Sequence, residues 1–155
     1  MKCLYRDYER IKDINNIVLK YNILCSSQSL NGESFKVIQQ AVKQEPDYLK
    51  YCFDRIGVQY DEIYTNPIPC YKINGEILQL SDLSSGEKDY LYSLCCKRLN
   101  KRFILYGTLE RLDNENREKY FSDFKDYDCI IISMNKSFIH MADSISIDEL
   151  LELYN

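Results

Sequence analysis

The chain has 155 residues, of which 45% are hydrophobic and 28% charged, and its formal net charge is -4. This balance is typical of an ordinary folded domain and excludes a disordered chain. The acidic charge offers no basic surface for tight binding to a nucleic-acid backbone. No apolar run is long enough to span a membrane, and the charged start of the sequence lacks a signal-peptide core, so we expect a cytoplasmic protein.

The cysteines and the single histidine argue against disulfides and zinc. None of the seven cysteines is in a C-x-x-C spacing, and the neighbours Cys95 and Cys96 are poorly placed for a structural disulfide. One histidine, His140, makes a zinc site implausible. The densest basic group lies around a predicted helix end, at Lys97, Arg98, Lys101 and Arg102. Cations are stabilised at helix C-termini, so we do not expect direct nucleic-acid binding.

The first part of the chain, residues 1–57, has a helical pattern. Apolar residues recur at three- and four-residue steps over about residues 7–21, which predicts a first helix. A second helix is predicted over 33–43. A third follows Asp47 as its N-cap and ends at Gly57.

The pattern changes after this helical part. Residues 60–65 look extended, and residues 70–80 predict a β-hairpin. The hairpin prediction depends on Asn74-Gly75, since this pair supplies the two positive φ angles of a type I′ turn. A helix is predicted over 84–99.

The rest of the chain alternates buried strands and helices. Two short apolar runs, 102–106 and 129–133, are predicted strands, and a polar-faced helix at 113–124 lies between them. A third strand is placed at 138–141 and a last helix at 147–154. A strand–helix–strand order with short connections favours a parallel βαβ unit. We therefore predict an α/β or α+β fold with a small, mostly parallel sheet and flanking helices.

One motif carries functional information, the segment Leu83-Ser84-Ser85-Gly86-Glu87-Lys88 between the hairpin and a helix. Ser84 with Glu87 three residues later predicts a capping box at the helix start. That explanation does not require Leu83, Gly86 and a preceding hairpin at the same time. A chance match to such a motif is expected in roughly one chain in a thousand of this length.

The motif and the segments after it resemble ABC-type ATPase heads of the SMC, RecF and OLD-nuclease kind. In those heads a signature helix leads to a strand ending in Asp-Glu (Walker B) and then to a D-loop ending in Leu-Asp. A further strand ends at a switch histidine. Here the same order appears in helix 84–99, strand 102–106, Leu112-Asp113-Asn114 and strand 129–133. The resemblance covers about residues 60–142 and implies a C-terminal, signature-bearing lobe.

The chain departs from this family wherever hydrolysis is concerned. None of its five glycines lies in a G-x-x-x-x-G-K-[ST] phosphate loop (Walker A). The Walker B acids fall on Tyr106 and Gly107, and Asn135 stands where the switch histidine is expected. Glu110 lies too close to the D-loop to replace them, and His140 comes too late. The resemblance therefore implies a degenerate ATPase lobe that is not itself an enzyme and has no cofactor of its own.

In family dimers, one subunit's phosphate loop holds ATP and the other subunit's signature closes over it, with a hydroxyl and backbone N–H groups at a helix start. The resemblance thus implies residues that contact nucleotide in trans, namely Ser84, Ser85, Gly86, Glu87 and Lys88. It also implies D-loop-like residues, namely Leu112, Asp113 and Asn114. The partner would be an ABC-type ATPase subunit that holds the ATP, or a second copy of the chain. The role would be that of a regulatory subunit or inhibitor in DNA repair, chromosome maintenance or phage defence.

Two alternatives stay open. The chain could be a structural or adaptor module in which the signature survives only as a helix cap. It could also be an enzyme of other chemistry, although no Ser/His, Cys/His or paired-carboxylate arrangement supports that. In every case we interpret residues 1–155 as one domain, with a helical part at 1–57 and a lobe-like part at 58–155.

Overall fold

The computed structural model describes residues 1–5, 11–21, 23–26, 32–139 and 143–153. In chain order the elements are β1 (Lys2–Tyr5), α1 (Ile11–Tyr21), β2 (Leu24–Ser26), α2 (Glu33–Gln44), α3 (Tyr48–Ile56), β3 (Glu62–Tyr64), β4 (Cys70–Ile73), β5 (Glu76–Gln79), α4 (Ser85–Arg98), β6 (Phe103–Tyr106), α5 (Thr108–Arg111), α6 (Asn114–Phe124), β7 (Cys129–Ser133), α7 (Lys136–Ile139), β8 (Asp143–Ser144) and α8 (Ile147–Leu153). These elements confirm the predicted α/β class.

The chain divides into two compact units. Unit 1 comprises Met1–Ser27 and Lys101–Asn155, and unit 2 comprises Gln28–Asn100. The interpretation of the whole chain as one domain stays a prediction. None of the helices in the described ranges combines the length and apolarity that crossing a bilayer requires.

Unit 1 is built on a parallel sheet with the strand order β2-β6-β7-β1-β8. All five residues of β7 are buried, as expected for a parallel strand that is covered on both faces. Ile104 and Ile130 of the sheet join a hydrophobic core with Ile14 and Ile17 of α1 and Leu150 of α8. The carboxyl ends of β6, β7 and β1 therefore lie side by side at one edge of the sheet.

The strands at 103–106 and 129–133 and their parallel pairing confirm the βαβ prediction. The third strand was wrongly placed at 138–141, because residues 136–139 form α7 and β8 is at 143–144. The Asn135 side chain accepts hydrogen bonds from the N–H and the hydroxyl of Ser137 at the start of α7. These bonds stabilise a helix where the sequence predicts a strand. The strands β1 and β2 lie in residues 1–57, for which the sequence predicts helices and no strand.

Unit 2 combines a three-stranded antiparallel sheet, β3-β4-β5, with helices α2, α3 and α4. Asn74 and Gly75 have φ of 50° and 81°, which confirms the predicted hairpin turn. Tyr71 of β4 packs edge-on against Phe53, with 5.1 Å between ring centroids. Helix α4 is buried on every side over residues 89–96, as is expected for a helix at the centre of a unit.

Candidate functional site

The segment Leu83–Lys88, here called the signature turn, begins helix α4. Ser84 is the N-cap, and its Oγ accepts a hydrogen bond from the Glu87 N–H at 3.2 Å. The Glu87 carboxylate accepts in return from the Ser84 N–H at 2.9 Å. The structure thus confirms the predicted capping box, and Ser84 is exposed within it.

Buried residues and a preceding 3-10 turn fix the position of the signature turn. Leu83 and Gly86 are buried, and a 3-10 turn at Leu80–Asp82 leads into the segment. The Asp82 carboxylate fixes that turn by accepting from the Gln79 N–H at 2.8 Å. The first N–H groups of a helix have no acceptor inside it, so the N–H of the half-buried Ser85 is available to an outside acceptor, whereas Gly86 is buried. The Ser84 hydroxyl also keeps its own proton to donate.

The charges around the signature turn are mostly negative. Burial raises the pKa of Tyr71, and the negative charges of Glu87 and Asp82 raise it further. A helix start contributes about half a positive charge, and Lys88 adds one more. The sum of these positive charges, about one and a half, is smaller than the two negative charges of the carboxylates, so the turn alone does not attract a phosphate. Any phosphate at the turn must therefore arrive together with its own cations.

The D-loop-like residues lie in unit 1, whereas the signature turn lies in unit 2. Leu112 is buried, and Asp113 is the N-cap of α6, accepting from the Asn116 N–H at 2.7 Å. Arg117 donates to the Leu112 carbonyl at 2.8 Å and to the Asn114 side chain at 2.8 Å. The loop is therefore rigidly connected to the helix it begins, and Asp113 remains exposed.

The carboxyl end of β6 carries no acid. Tyr106 is its last residue, and Gly107 follows with φ of 69° and donates its N–H to the Ile132 carbonyl at 2.8 Å. Neither residue can bind Mg²⁺ or activate water, since neither has a carboxylate. At the end of β7, Asn135 accepts from the N–H and the hydroxyl of Ser137 at 3.0 and 2.7 Å. Asn135 thus serves as the cap of a helical turn.

A carboxylate does reach this edge of the sheet, from Glu110. The short helix α5 turns Glu110 back toward the end of β7, where its Oε1 accepts from the Ser133 hydroxyl and from the N–H groups of Met134 at 2.9 Å and Asn135 at 3.2 Å. We call this arrangement the Glu110 clamp. The other oxygen, Oε2, is buried and has no hydrogen-bond partner in the described ranges. An oxygen that already accepts three hydrogen bonds is a poor base for water.

The sequence alone does not point to Glu110, because it lies too close to the D-loop along the chain to replace the Walker B acids. The clamp joins residues 23 positions apart, and no local motif predicts a contact at that range. His140 lies outside the described residues. No group of three or more histidine, cysteine or acidic residues in the described ranges is arranged to hold a metal ion.

In chain order, strand β1 is followed by helix α1. A strand followed by a loop and a helix is the arrangement in which phosphate loops occur, and such loops use glycine to bring N–H groups to the phosphate. Residues 6–10 between these elements lie outside the described ranges, and their sequence, Arg-Asp-Tyr-Glu-Arg, contains no glycine. No protein-family model matches the chain, and no curated protein is significantly similar to it.

Proposed function

We propose that the chain is a non-hydrolytic ABC-ATPase-like protein that binds the ATPase head of a partner and presents its signature turn to the ATP held there. The observation that supports this most is the geometry of the turn. An exposed Ser84 hydroxyl and the N–H of the half-buried Ser85 lie at the start of helix α4, whose residues 89–96 are buried. Such a helix start binds anionic oxygens.

The loss of the chain's own chemistry supports a role in trans. Tyr106 and Gly107 stand where acids are needed, and the carboxylate of Glu110 is fully engaged on one oxygen and buried on the other. Residues 6–10, which connect β1 and α1, contain no glycine for a phosphate loop. A protein of this kind would rely on ATP and Mg²⁺ that another subunit brings.

The charge of the signature turn also supports a role in trans. Because Asp82 and Glu87 offset the positive helix start, the turn has little attraction for a free phosphate. A partner's phosphate loop and Mg²⁺ supply the missing positive charge. A second copy of this chain supplies neither, so the proposed partner is a different subunit with an intact phosphate loop. From the resemblance to SMC, RecF and OLD-nuclease heads, we propose a regulatory or inhibitory role in DNA repair, chromosome maintenance or phage defence.

The second candidate is an adaptor in which the signature serves only as a helix cap. The capping box favours it, because Ser84 and Glu87 satisfy each other without any ligand. The two candidates differ in what the Ser84 hydroxyl does. A cap needs an oxygen acceptor only, whereas a phosphate contact needs a hydrogen-bond donor.

The substitution Ser84→Asp separates these roles, since Asp is an equally good N-cap but repels a phosphate. The measurement is the dissociation constant for an ATPase subunit with an intact phosphate loop, captured with the tagged chain from its own cells, with and without ATPγS. We expect ATPγS to strengthen binding of the unsubstituted chain about tenfold or more. Ser84→Asp should abolish that gain while the free energy of unfolding stays unchanged.

Ser84→Arg should weaken the nucleotide-dependent complex as well, through its bulk. Ser122→Asp adds the same charge at an exposed position in α6 and serves as the control, with the ATPγS effect retained. Binding that is equal with and without nucleotide, or a Ser84→Asp variant that keeps the gain, would rule out contact in trans and leave the adaptor.

A further inference from the structure

A groove on unit 2 lies apart from the signature turn, between the second half of α2 and the loop before β4. Its volume is about 490 Å³, within the range of small-molecule sites. Its apolar lining consists of Val42 and three prolines, Pro46, Pro67 and Pro69. Proline rings have a fixed backbone φ, so these walls are largely formed before any ligand arrives, which lowers the entropic cost of binding.

The polar lining of the groove is free to bind a ligand. The side chains of Gln39, Thr65 and Asn66 line it, and none of them has a hydrogen-bond partner among the residues that the structure describes. An amide offers a donor and an acceptor side by side. Paired donors and acceptors of this kind match the edge of a planar nitrogen heterocycle, and flat rings pack well against proline.

The only charged side chain in the lining of the groove is Lys43. No carboxylate in the described ranges pairs with it, because the adjacent Glu45 is bound to Arg98 at 2.7 Å. Lys43 lies in the last turn of α2, whose carbonyl end carries about half a negative charge. The net positive charge is therefore small, which favours a ligand with one negative charge over a polyanion such as ATP.

We propose that this groove binds a small planar heterocycle that carries one negative charge. The prolines contact the faces of the ring, the amides of Gln39 and Asn66 bind its edge, and Lys43 binds the charge. A heterocyclic carboxylate and a cyclic mononucleotide share this chemistry. The inference is independent of the proposed function, since it involves none of the residues of the signature turn.

Titration calorimetry on the full chain tests the proposal with five probes: orotate, cyclic AMP, benzoate, adenosine and ATP. Benzoate has the charge and ring without the hydrogen-bonding edge, and adenosine has the edge without the charge. We expect orotate or cyclic AMP to bind at least about tenfold more tightly than benzoate, adenosine and ATP. Which of the two binds identifies the source of the charge as a carboxylate or a phosphodiester.

The variants Lys43→Gln and Asn66→Ala should each weaken the bound probe, Lys43→Gln by about tenfold or more. Both side chains are exposed or at the surface of the unit, so neither change should disturb folding, which circular dichroism checks. Lys50→Gln, an exposed lysine of α3 outside the groove, is the matched control and should leave affinity unchanged. The proposal is overturned if neither probe binds up to about 10 mM, if ATP binds most tightly, or if Lys43→Gln and Lys50→Gln behave alike.

Discussion

Each unit of the protein contains a serine and a glutamate that are joined by hydrogen bonds, and the two pairs do opposite things. Ser84 and Glu87 are three residues apart and exchange hydrogen bonds at an exposed helix start. Ser133 and Glu110 are 23 residues apart and meet at the buried edge of the parallel sheet. In the first pair the serine accepts and keeps its proton. In the second pair the serine hydroxyl donates a hydrogen bond to the carboxylate.

This difference shows that residue type alone does not identify a contact site. In the Glu110 clamp, Oε1 accepts three hydrogen bonds and Oε2 is buried, so neither oxygen is exposed to a partner. The signature turn uses a lone pair of Ser84 for its own helix and leaves a hydroxyl proton exposed. Exposure and donor direction, more than composition, make the signature turn the better candidate for an interaction surface.

Removing the clamp should have the largest effect. Glu110→Ala takes one charged acceptor away from Ser133 and from the N–H groups of Met134 and Asn135. We expect the free energy of unfolding to fall by about 3 kcal/mol, since each hydrogen bond to a charged group contributes about 1.5–3 kcal/mol but the three share one oxygen. Urea denaturation measures the change.

Glu118→Ala removes an exposed carboxylate of α6 and is the control, with an expected change within about 0.5 kcal/mol. If Glu110→Ala costs no more than the control, the clamp is not a stabilising feature and the contrast with the capping box disappears.

Removing the helix caps of the two units should have the second largest effect on the free energy of unfolding. Ser84→Ala and Asp113→Ala each remove an N-cap acceptor, and each should lower the free energy of unfolding by about 1 kcal/mol. Ser84→Asp should keep the free energy of unfolding of the unsubstituted chain, because the carboxylate can accept from the same N–H. A loss in Ser84→Asp as large as in Ser84→Ala would show that the hydroxyl itself, beyond its role as acceptor, stabilises the turn.

The packing of α4 is tested by Tyr48→Phe, which deletes the hydrogen bond from the Tyr48 hydroxyl to the Leu94 carbonyl at 2.7 Å. We expect a loss of about 1 kcal/mol at neutral pH. Burial is the main cause that raises the pKa of Tyr48 far above its ordinary value, and the nearby Cys52 and Cys95 raise it further.

This pKa direction also sets a pH dependence. A raised folded pKa means that the contribution of Tyr48 is fully present below about pH 10, the pKa of an unfolded tyrosine, and is lost as the pH rises above it. The free energy of unfolding should therefore fall less steeply above pH 10 in Tyr48→Phe than in the unsubstituted chain. Equal slopes above pH 10 in Tyr48→Phe and the unsubstituted chain would contradict a raised pKa of Tyr48.

The smallest effect on the free energy of unfolding is expected from an ion pair at the C-terminal end of α4. Arg98 and Glu45 form an ion pair at 2.7 Å with both side chains about half exposed. Glu45→Gln should cost about 0.5 kcal/mol or less, and the cost should shrink at high salt. The even more exposed pair of Glu33 and Lys36 is the control, and Glu33→Gln should have no measurable effect. A large, salt-independent cost at Glu45 would contradict the assignment as a surface pair.

Much of unit 2 and the central strands of unit 1 could be predicted from sequence because their signals are local. Asn74-Gly75 specifies its turn by backbone conformation, and Ser84 with Glu87 specifies a helix start within four residues. The apolar run 129–133 is recognisable because a buried parallel strand lacks alternation. In each case the residues that form the structure are neighbours in sequence.

The features that sequence did not reveal depend on distant contacts. Strand β1 has only four residues, too few for a periodic pattern, and it becomes a strand by pairing with β7 and β8. The Glu110 clamp depends on α5 turning the side chain toward Ser133. No pattern within a short window contains either partner, so only the folded structure shows them.

The pairing of β1 with β7 has a consequence for synthesis. Residues 2–5 are synthesised long before their partners at 130–133 in β7, and β8 follows later still. At about 5–20 residues per second the delay is roughly 6–25 s. Unit 2, contained in residues 28–100, can fold during that interval. Cys3 and Leu4, which the finished sheet buries completely, are exposed to solvent and chaperones throughout it.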